Sequence, residues 1–225
     1  MRDTQLNHDR SLDVTWIRSR AEAALHRDPP DSVFDPRSGR SWGPSDFDLN
    51  PDLMADLGAM DPPRPAAVLV PIVMREQLSV LFTVRTAHLK SHAGQISFPG
   101  GKIDDSDPHA LATALREAEE EIGLDRAHVE PIGYLDNYRT GTGFSVLPVV
   151  GLVRPDFALT INEGEVAEVF EVPLAFLMNT ENHQRHSREW RGRDRHFYAM
   201  PYGQRFIWGA TAGMIKNLQE RLLRS

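Results

Sequence analysis

Apolar positions recur along this chain at two spacings, and each predicts its own kind of element. From Ala66 the run AAVLVPIVM is apolar almost without interruption, the pattern of a strand buried on both faces. LSVLFTVR, from Leu78 to Arg85, is rich in β-formers and predicts the next strand, with Arg75, Glu76 and Gln77 as the tight turn between them. QISFPGG predicts a short strand that runs into a glycine turn. Further strands are expected near Val129 to Leu135, Ser145 to Val153 and Val166 to Val172, and on either side of Gly192. Helical spacing appears from Asp13 to about His26, with Val14, Ile17, Ala21 and Leu25 on one face. It returns from about Pro108 to Ile122, and again from about Ala210 to Leu223, where Met214, Ile215, Leu218 and Leu222 form the inner face. Pro173 opens a short helix. Between Asp28 and Asn50 the chain is rich in Pro, Asp, Ser and Gly and reads as extended loop. Strands and helices mix without strict alternation, so the class is α+β, with a mixed sheet packed between helices. Residues 1–65 form a leader with one helix, in which only the loop from Asp28 to Asn50 is given a packing duty, and residues 66–225 form the main domain.

Composition narrows the function. The 225 residues suit one domain, or one domain with an appendage. The formal net charge of -7 argues against non-specific binding to nucleic acid, but not against a small anionic substrate. The absence of cysteine excludes disulfides, zinc-thiolate sites and thiol nucleophiles. The N-terminus is polar from its second residue and no run approaches the roughly 18 apolar residues of a membrane span, so a cytoplasmic location without membrane contact is expected.

The segment GGKIDDSDPHALATALREAEEEIGL carries the chemistry. Asp107 is a candidate cap with Pro108 at the first helical position, and Gly123 suits a left-handed stop. Leu111, Leu115, Ala118 and Ile122 recur at helical spacing and are expected to face the core. At about 100° per residue, Glu117, Glu120 and Glu121 project near the edge of that face, while Glu119 points to solvent. Only Arg116 is positive between Lys102 and Arg126. Like charges four apart destabilise a helix by a few tenths of a kcal/mol per pair, roughly, and more where screening is poor. A hard divalent cation with a preference for oxygen, Mg²⁺ or Mn²⁺, relieves that repulsion, and a glycine turn beside it suits a pyrophosphate. The bland alternative is a solvated acidic face, the usual fate of a run such as EAEEE.

REAEEEIGL, from Arg116 to Leu124, resembles the end of the Nudix box, with Gly101 as its leading glycine. Asp107 stands where the general box has Glu, and the spacing from Asp107 to Arg116 is one residue longer. The upstream stretch LFTVRTAHLKSHAGQISFPGG, from Leu81 to Gly101, is similar to the extra motif of the coenzyme A pyrophosphatase branch, in which both departures are usual. VLPVVGLV, NEGEVAEVFEVPL and IWGATAGMI resemble later landmarks of that branch.

The resemblance implies a Nudix fold, an α/β/α sandwich, over residues 66–225. It implies Glu117 and Glu121 as principal metal ligands with Glu120 as an additional one, Arg116 as their orienting partner, and Glu165 ahead of Glu163 as general base. Gly100 and Gly101 would bring backbone to the metal, and the Gly101 carbonyl is a candidate ligand. Arg85, Lys90 and His92 are candidates for the substrate's 3′-phosphate, and the loop from Asn137 to Phe144 is a candidate contact for adenine or pantetheine. The histidines between His183 and His196 show no metal spacing and read as surface residues. The expected reaction is hydrolysis of coenzyme A and its acyl derivatives. Rival readings are hydrolysis of ADP-ribose, dinucleotides or nucleoside triphosphates, and a non-catalytic nucleotide-binding module, which would be expected to lose the box acids. RNA decapping is disfavoured by the negative charge. The sequence does not fix the oligomeric state, and a homodimer is carried as an expectation.

Overall fold

The continuous apolar run becomes the central strand, β1 (Arg64–Val73), of an eight-stranded mixed sheet in a computed structural model that describes residues 12–29, 43–52, 62–88, 93–190 and 192–224. β1 lies parallel to β7 (Phe144–Val153), in unbroken register from Arg64↔Phe144 to Val73↔Val153. Its alternate residues feed two cores. Ala67, Leu69 and Val73 face α2 (Ala110–Ile122), while Ala66, Val70 and Ile72 join the core that contains Ile17, Leu218 and Leu222.

On its other side β1 forks. Its C-terminal end pairs with β2 (Ser79–Arg85), and its N-terminal half pairs with β4 (Gly100–Lys102). The two-residue β3 (Ile96–Ser97) pairs with β2 and leads into β4. β5 (Val129–Tyr134) and the short β6 (Tyr138–Arg139) pair with β7, and β8 (Val166–Pro173) pairs with β2. α3 (Leu174–Met178) follows β8 directly. A separate three-stranded sheet, in the order β11-β10-β9, is built from β9 (Gln184–Trp190), β10 (Arg193–Tyr202) and β11 (Arg205–Trp208). α4 (Ala210–Leu223) closes the chain, with Met214, Ile215, Leu218 and Leu222 all buried.

Several expectations need correction. Asp107 does not cap α2; His109 does, its Nδ1 accepting from the Ala112 N–H at 3.1 Å. Asp107 is instead engaged by Arg116, so the helix starts later and Pro108 lies outside it. Leu111 and Leu115 are only half-buried, and the packed stripe is Ala110, Ala114, Ala118 and Ile122, because small residues let the helix lie close to β1. Two strands were expected around Gly192 and a third, β11, completes the sheet. Of the loop from Asp28 to Asn50, residues 30–42 lie outside the described residues, while 43–50 run against β6 through the bridge Ser45↔Arg139.

The leader is bound to the core. α1 (Val14–Ala24), capped by Asp13, lays Ile17, Ala21 and the following Leu25 on it. His26 then exchanges backbone hydrogen bonds with Tyr134 at 3.0 and 2.9 Å. Below it Asp136 accepts from Arg221 Nε at 2.7 Å and from Asn217 Nδ2 at 2.8 Å, with His26 Nε2 at 3.0 Å. Arg221 also donates to the Ala24 carbonyl at 2.7 Å, so one side chain ties leader, sheet and last helix together. Burial alone would raise the Asp136 pKa, but the hydrogen bonds from Arg221, His26 and Asn217 hold it well below the usual carboxylate range. The folded state therefore binds this proton less readily than the unfolded state. Its contribution is present above the ordinary carboxylate pKa of about 4 and fades as pH falls below that value. Arg221→Ala is expected to lower stability by about 2 kcal/mol in urea unfolding at pH 7. It should also flatten the loss of stability between about pH 5 and pH 3.

Candidate active site at the fork of the sheet

The site forms where β4 leaves β1 and α2 crosses above it. Glu121 lies within the packed face of α2, beside Ala118 and Ile122, and is 3% exposed. Its Oε2 accepts from the Gly100 N–H at 3.4 Å and its Oε1 faces Arg85 Nη1 at 3.7 Å. Arg85 reaches it from a register shift between Val84 and Arg85, the kind of bulge that re-aims a side chain. The Arg85 Nε is buried without a hydrogen-bond partner among the described residues. Burial pushes the Glu121 carboxyl up to about 8, against the pull of Arg85 and the Gly100 N–H and with the push of Glu117 and Glu165.

Glu117 stands one turn earlier and is also raised, first by burial, then by the neighbouring Glu120 and Glu165, against the pull of Arg116. Gly101 is packed against it: a Cβ there would come within 2.5 Å of the Glu117 carboxylate. Gly100, with φ of 155°, would place a Cβ 2.6 Å from the Val68 Cα. The double glycine thus lets backbone approach where any side chain would displace β1 or the acid.

Arg116 gathers the other acids. It donates to Asp107 from Nε at 3.1 Å and Nη2 at 2.8 Å, to Glu117 at 3.0 Å and to Glu120 at 2.9 Å. Asp107, further held by Thr113 and the Asp104 N–H, stays well below the ordinary carboxylate range chiefly because of Arg116. Sequence reasoning missed this partnership. The nine-residue separation of Asp107 and Arg116 was visible, but only the turn between them shows that they meet.

The three box acids do not converge equally. Glu121 is buried and Glu117 half-buried inside the fork, whereas the Glu120 side chain is 56% exposed on the outer side of Arg116. Glu119 points outward to Arg126. Among the described residues no group of three acidic or imidazole side chains forms a ready cage for a cation. Glu165 enters from the loop before β8. That loop is stitched to the end of α2 by the Asn162 N–H on the Glu121 carbonyl and the Thr160 N–H on the Ile122 carbonyl, both 2.9 Å. Gly123, left-handed at φ 68°, stops the helix there and leaves room for Thr160. Glu163 is exposed on the same loop. Lys90 and His92 lie outside the described residues. Tyr138 and Arg139, from the second candidate loop, are buried under the leader: the Tyr138 hydroxyl donates to Asp46 at 2.7 Å and Asp46 also accepts from the Gly141 N–H at 2.8 Å.

This arrangement sits within a stretch of chain that has relatives among known proteins. The model of the NUDIX domain matches residues 63–191. This chain belongs to the Nudix hydrolase family. It is 46% identical over 155 residues, 69% of this chain and 81% of the relative, to the uncharacterized Nudix hydrolase NudL of Escherichia coli strain K12. Among solved structures, the NUDIX domain of Shewanella oneidensis NrtR complexed with ADP ribose is 22% identical and covers 77% of this chain and 98% of its own, with a TM-score of 0.45. A MutT/nudix family protein from Enterococcus faecalis is 16% identical and covers 86% of this chain and 75% of its own, with a TM-score of 0.44.

Two outcomes follow from this geometry. Because the folded pKa of Glu121 is raised, the folded state holds a proton that the unfolded state releases first. Stability therefore falls as pH rises from the ordinary carboxylate value of about 4.3 towards about 8. In chelator, melting curves of the wild type should shift down across that window, and Glu121→Gln should remove most of the shift. Gly101→Ala should displace the Glu117 carboxylate and lower turnover on the order of 100-fold, since small misplacements in a site have effects of that size.

Proposed function

We propose that this chain hydrolyses the pyrophosphate bond of coenzyme A and its acyl derivatives, to 3′-phospho-ADP and a 4′-phosphopantetheine product. One observation carries the reading. The stretch from Leu81 to Gly101, which resembles the coenzyme A branch motif, runs through β2, β3 and β4 and delivers both Arg85 and the glycine pair to Glu121.

The donor set fits a divalent cation. Two carboxyls whose protons are held by burial and mutual repulsion gain most from a cation of oxygen preference. Mg²⁺ is commonly held by one or two carboxylates, with waters and substrate oxygens completing its shell, so a closed protein cage is not required. Glu117 and Glu121 would hold Mg²⁺ or Mn²⁺, with Glu120 joining them from the solvent side. When bound, the metal supplies charge neutralisation of the pyrophosphate and a more acidic water.

The remaining roles belong to the chain. Glu165 takes a proton from the water that attacks one phosphorus, the P–O bond to the bridging oxygen breaks, and the second phosphate leaves with that oxygen. Arg116 keeps Glu117 and Glu120 aimed. Beside Glu121, Arg85 is better placed to grip a pyrophosphate oxygen than a distant group, and its unpartnered Nε offers the second arm of a fork. The adenosine 3′-phosphate is then left to Lys90 and His92.

The test is a panel of coenzyme A, acetyl-coenzyme A, ADP-ribose, NADH and nucleoside triphosphates with Mg²⁺, with products identified by mass. Cleavage of coenzyme A to 3′-phospho-ADP supports the reading; intact coenzyme A beside cleaved ADP-ribose overturns it. Glu165→Gln should lower kcat about 100-fold or more while Mn²⁺ binding, read by electron paramagnetic resonance, is retained. Glu117→Gln and Glu121→Gln should lose both.

A further inference from the structure

β9 is the outer strand of the second sheet: it pairs with β10 in unbroken register from Gln184↔Ala199 to Trp190↔Arg193 and with no other strand among the described residues. Which of its backbone groups face outward can be read from Asn50. That side chain takes both main-chain groups of His196: its Oδ1 accepts from the His196 N–H at 2.8 Å and its Nδ2 donates to the His196 carbonyl at 2.9 Å. The His196 groups therefore point away from β9. In an antiparallel ladder the facing residue of such a pair also points its groups outward. That residue is Ser187. By the two-residue alternation, Arg185 and Glu189 do the same, and nothing among the described residues takes up these groups.

We infer that this edge pairs with the same edge of a second copy of the chain, antiparallel, about a two-fold axis at Ser187. The register follows from symmetry. Ser187 faces Ser187, and Arg185 of each copy faces Glu189 of the other. All of these are outward-facing positions, so every pair exchanges both of its hydrogen bonds. Charged edge strands usually resist pairing. Two-fold registers centred at Arg185, Ser187 or Glu189 all satisfy the backbone, but the first sets Arg185 against itself and the last Glu189 against itself, so only the register at Ser187 is also self-complementary in charge. Arg185 and Glu189 are exposed and have no ion-pair partner among the described residues. His186, held by Gln184 at 2.9 Å, would face Arg188, a pair that adds no attraction. No proline or bulge interrupts the strand. The product is a continuous sheet across two molecules, an isologous contact.

Such a contact is small, below the roughly 1,200 Å² of stable complexes, so a dissociation constant in the micromolar range is expected. Sedimentation velocity from about 1 µM to about 500 µM should show the 25.3 kDa chain passing to twice that mass. Arg185→Glu and Glu189→Arg should each abolish association by placing like charges opposite one another. An equimolar mixture of the two variants should associate again, because an acidic side chain then meets a basic one in both charged pairs. Ser187→Pro, which removes an outward N–H and no bond to β10, should weaken association at least about tenfold. Circular dichroism checks that each variant is folded. A wild type that stays monomeric throughout overturns the inference, as does a dimer indifferent to the single charge reversals, or reversed variants that fail to associate when mixed.

Discussion

Glu121 projects from the face of α2 that otherwise carries Ala114, Ala118 and Ile122, and much of the surrounding architecture serves to tolerate it there. Taking a carboxylate out of water is expensive unless charge or hydrogen bonds answer it. Two groups do so, from elements far apart in sequence: the Arg85 guanidinium at the end of β2 and the Gly100 N–H at the start of β4. Neither is sufficient, since the carboxyl remains pushed well above its ordinary range. The fork of the sheet, the glycine pair and the bulge before Arg85 are all needed to bring those groups to one point. A structure that leaves such a group incompletely answered holds it ready for a ligand.

Arg116 solves the complementary problem on the outer side of the helix. One guanidinium holds Asp107, Glu117 and Glu120 and fixes how the turn between β4 and α2 returns to the helix. This explains the altered box. Asp is shorter than Glu, and the longer spacing lets the segment from Asp104 to His109 fold back on itself before α2 begins. The Asp104 N–H on Asp107 closes that turn. Asp107 thus stabilises the acidic helix through Arg116 and not through its N-terminus.

The leader acts on the opposite side of the sheet. α1 covers the core beside α4, and the network around Asp136 locks it there. Further on, Asp46 is buried against Tyr138 and Gly141, and Asn50 holds the His196 backbone. This short strap therefore joins the main sheet to the second one. The loop from Asn137 to Phe144, expected as a contact for adenine or pantetheine, is half enclosed by it, with Asn137 and Arg139 both buried.

Much of this was legible in the sequence because it is local. Burial of β1 on both faces follows from its unbroken apolar run, and the approximate extents of α1 and α4 follow from periodicity. The carboxylate helix and its glycine stop were equally plain, since both depend on spacing along one element. What the sequence could not decide is which groups from different elements meet. Helical periodicity places Glu117, Glu120 and Glu121 within about 100° steps of one another but does not show that β1 lies under Glu121 and leaves Glu120 in solvent. It offered Asp107 as a cap, whereas Arg116 arrived first. It set Arg85 beside no particular acid, and only the bulge and the fork bring it to Glu121. Periodicity along one element fixes local direction. Proximity between elements is set by packing, and the chemistry of this site lies in the proximity.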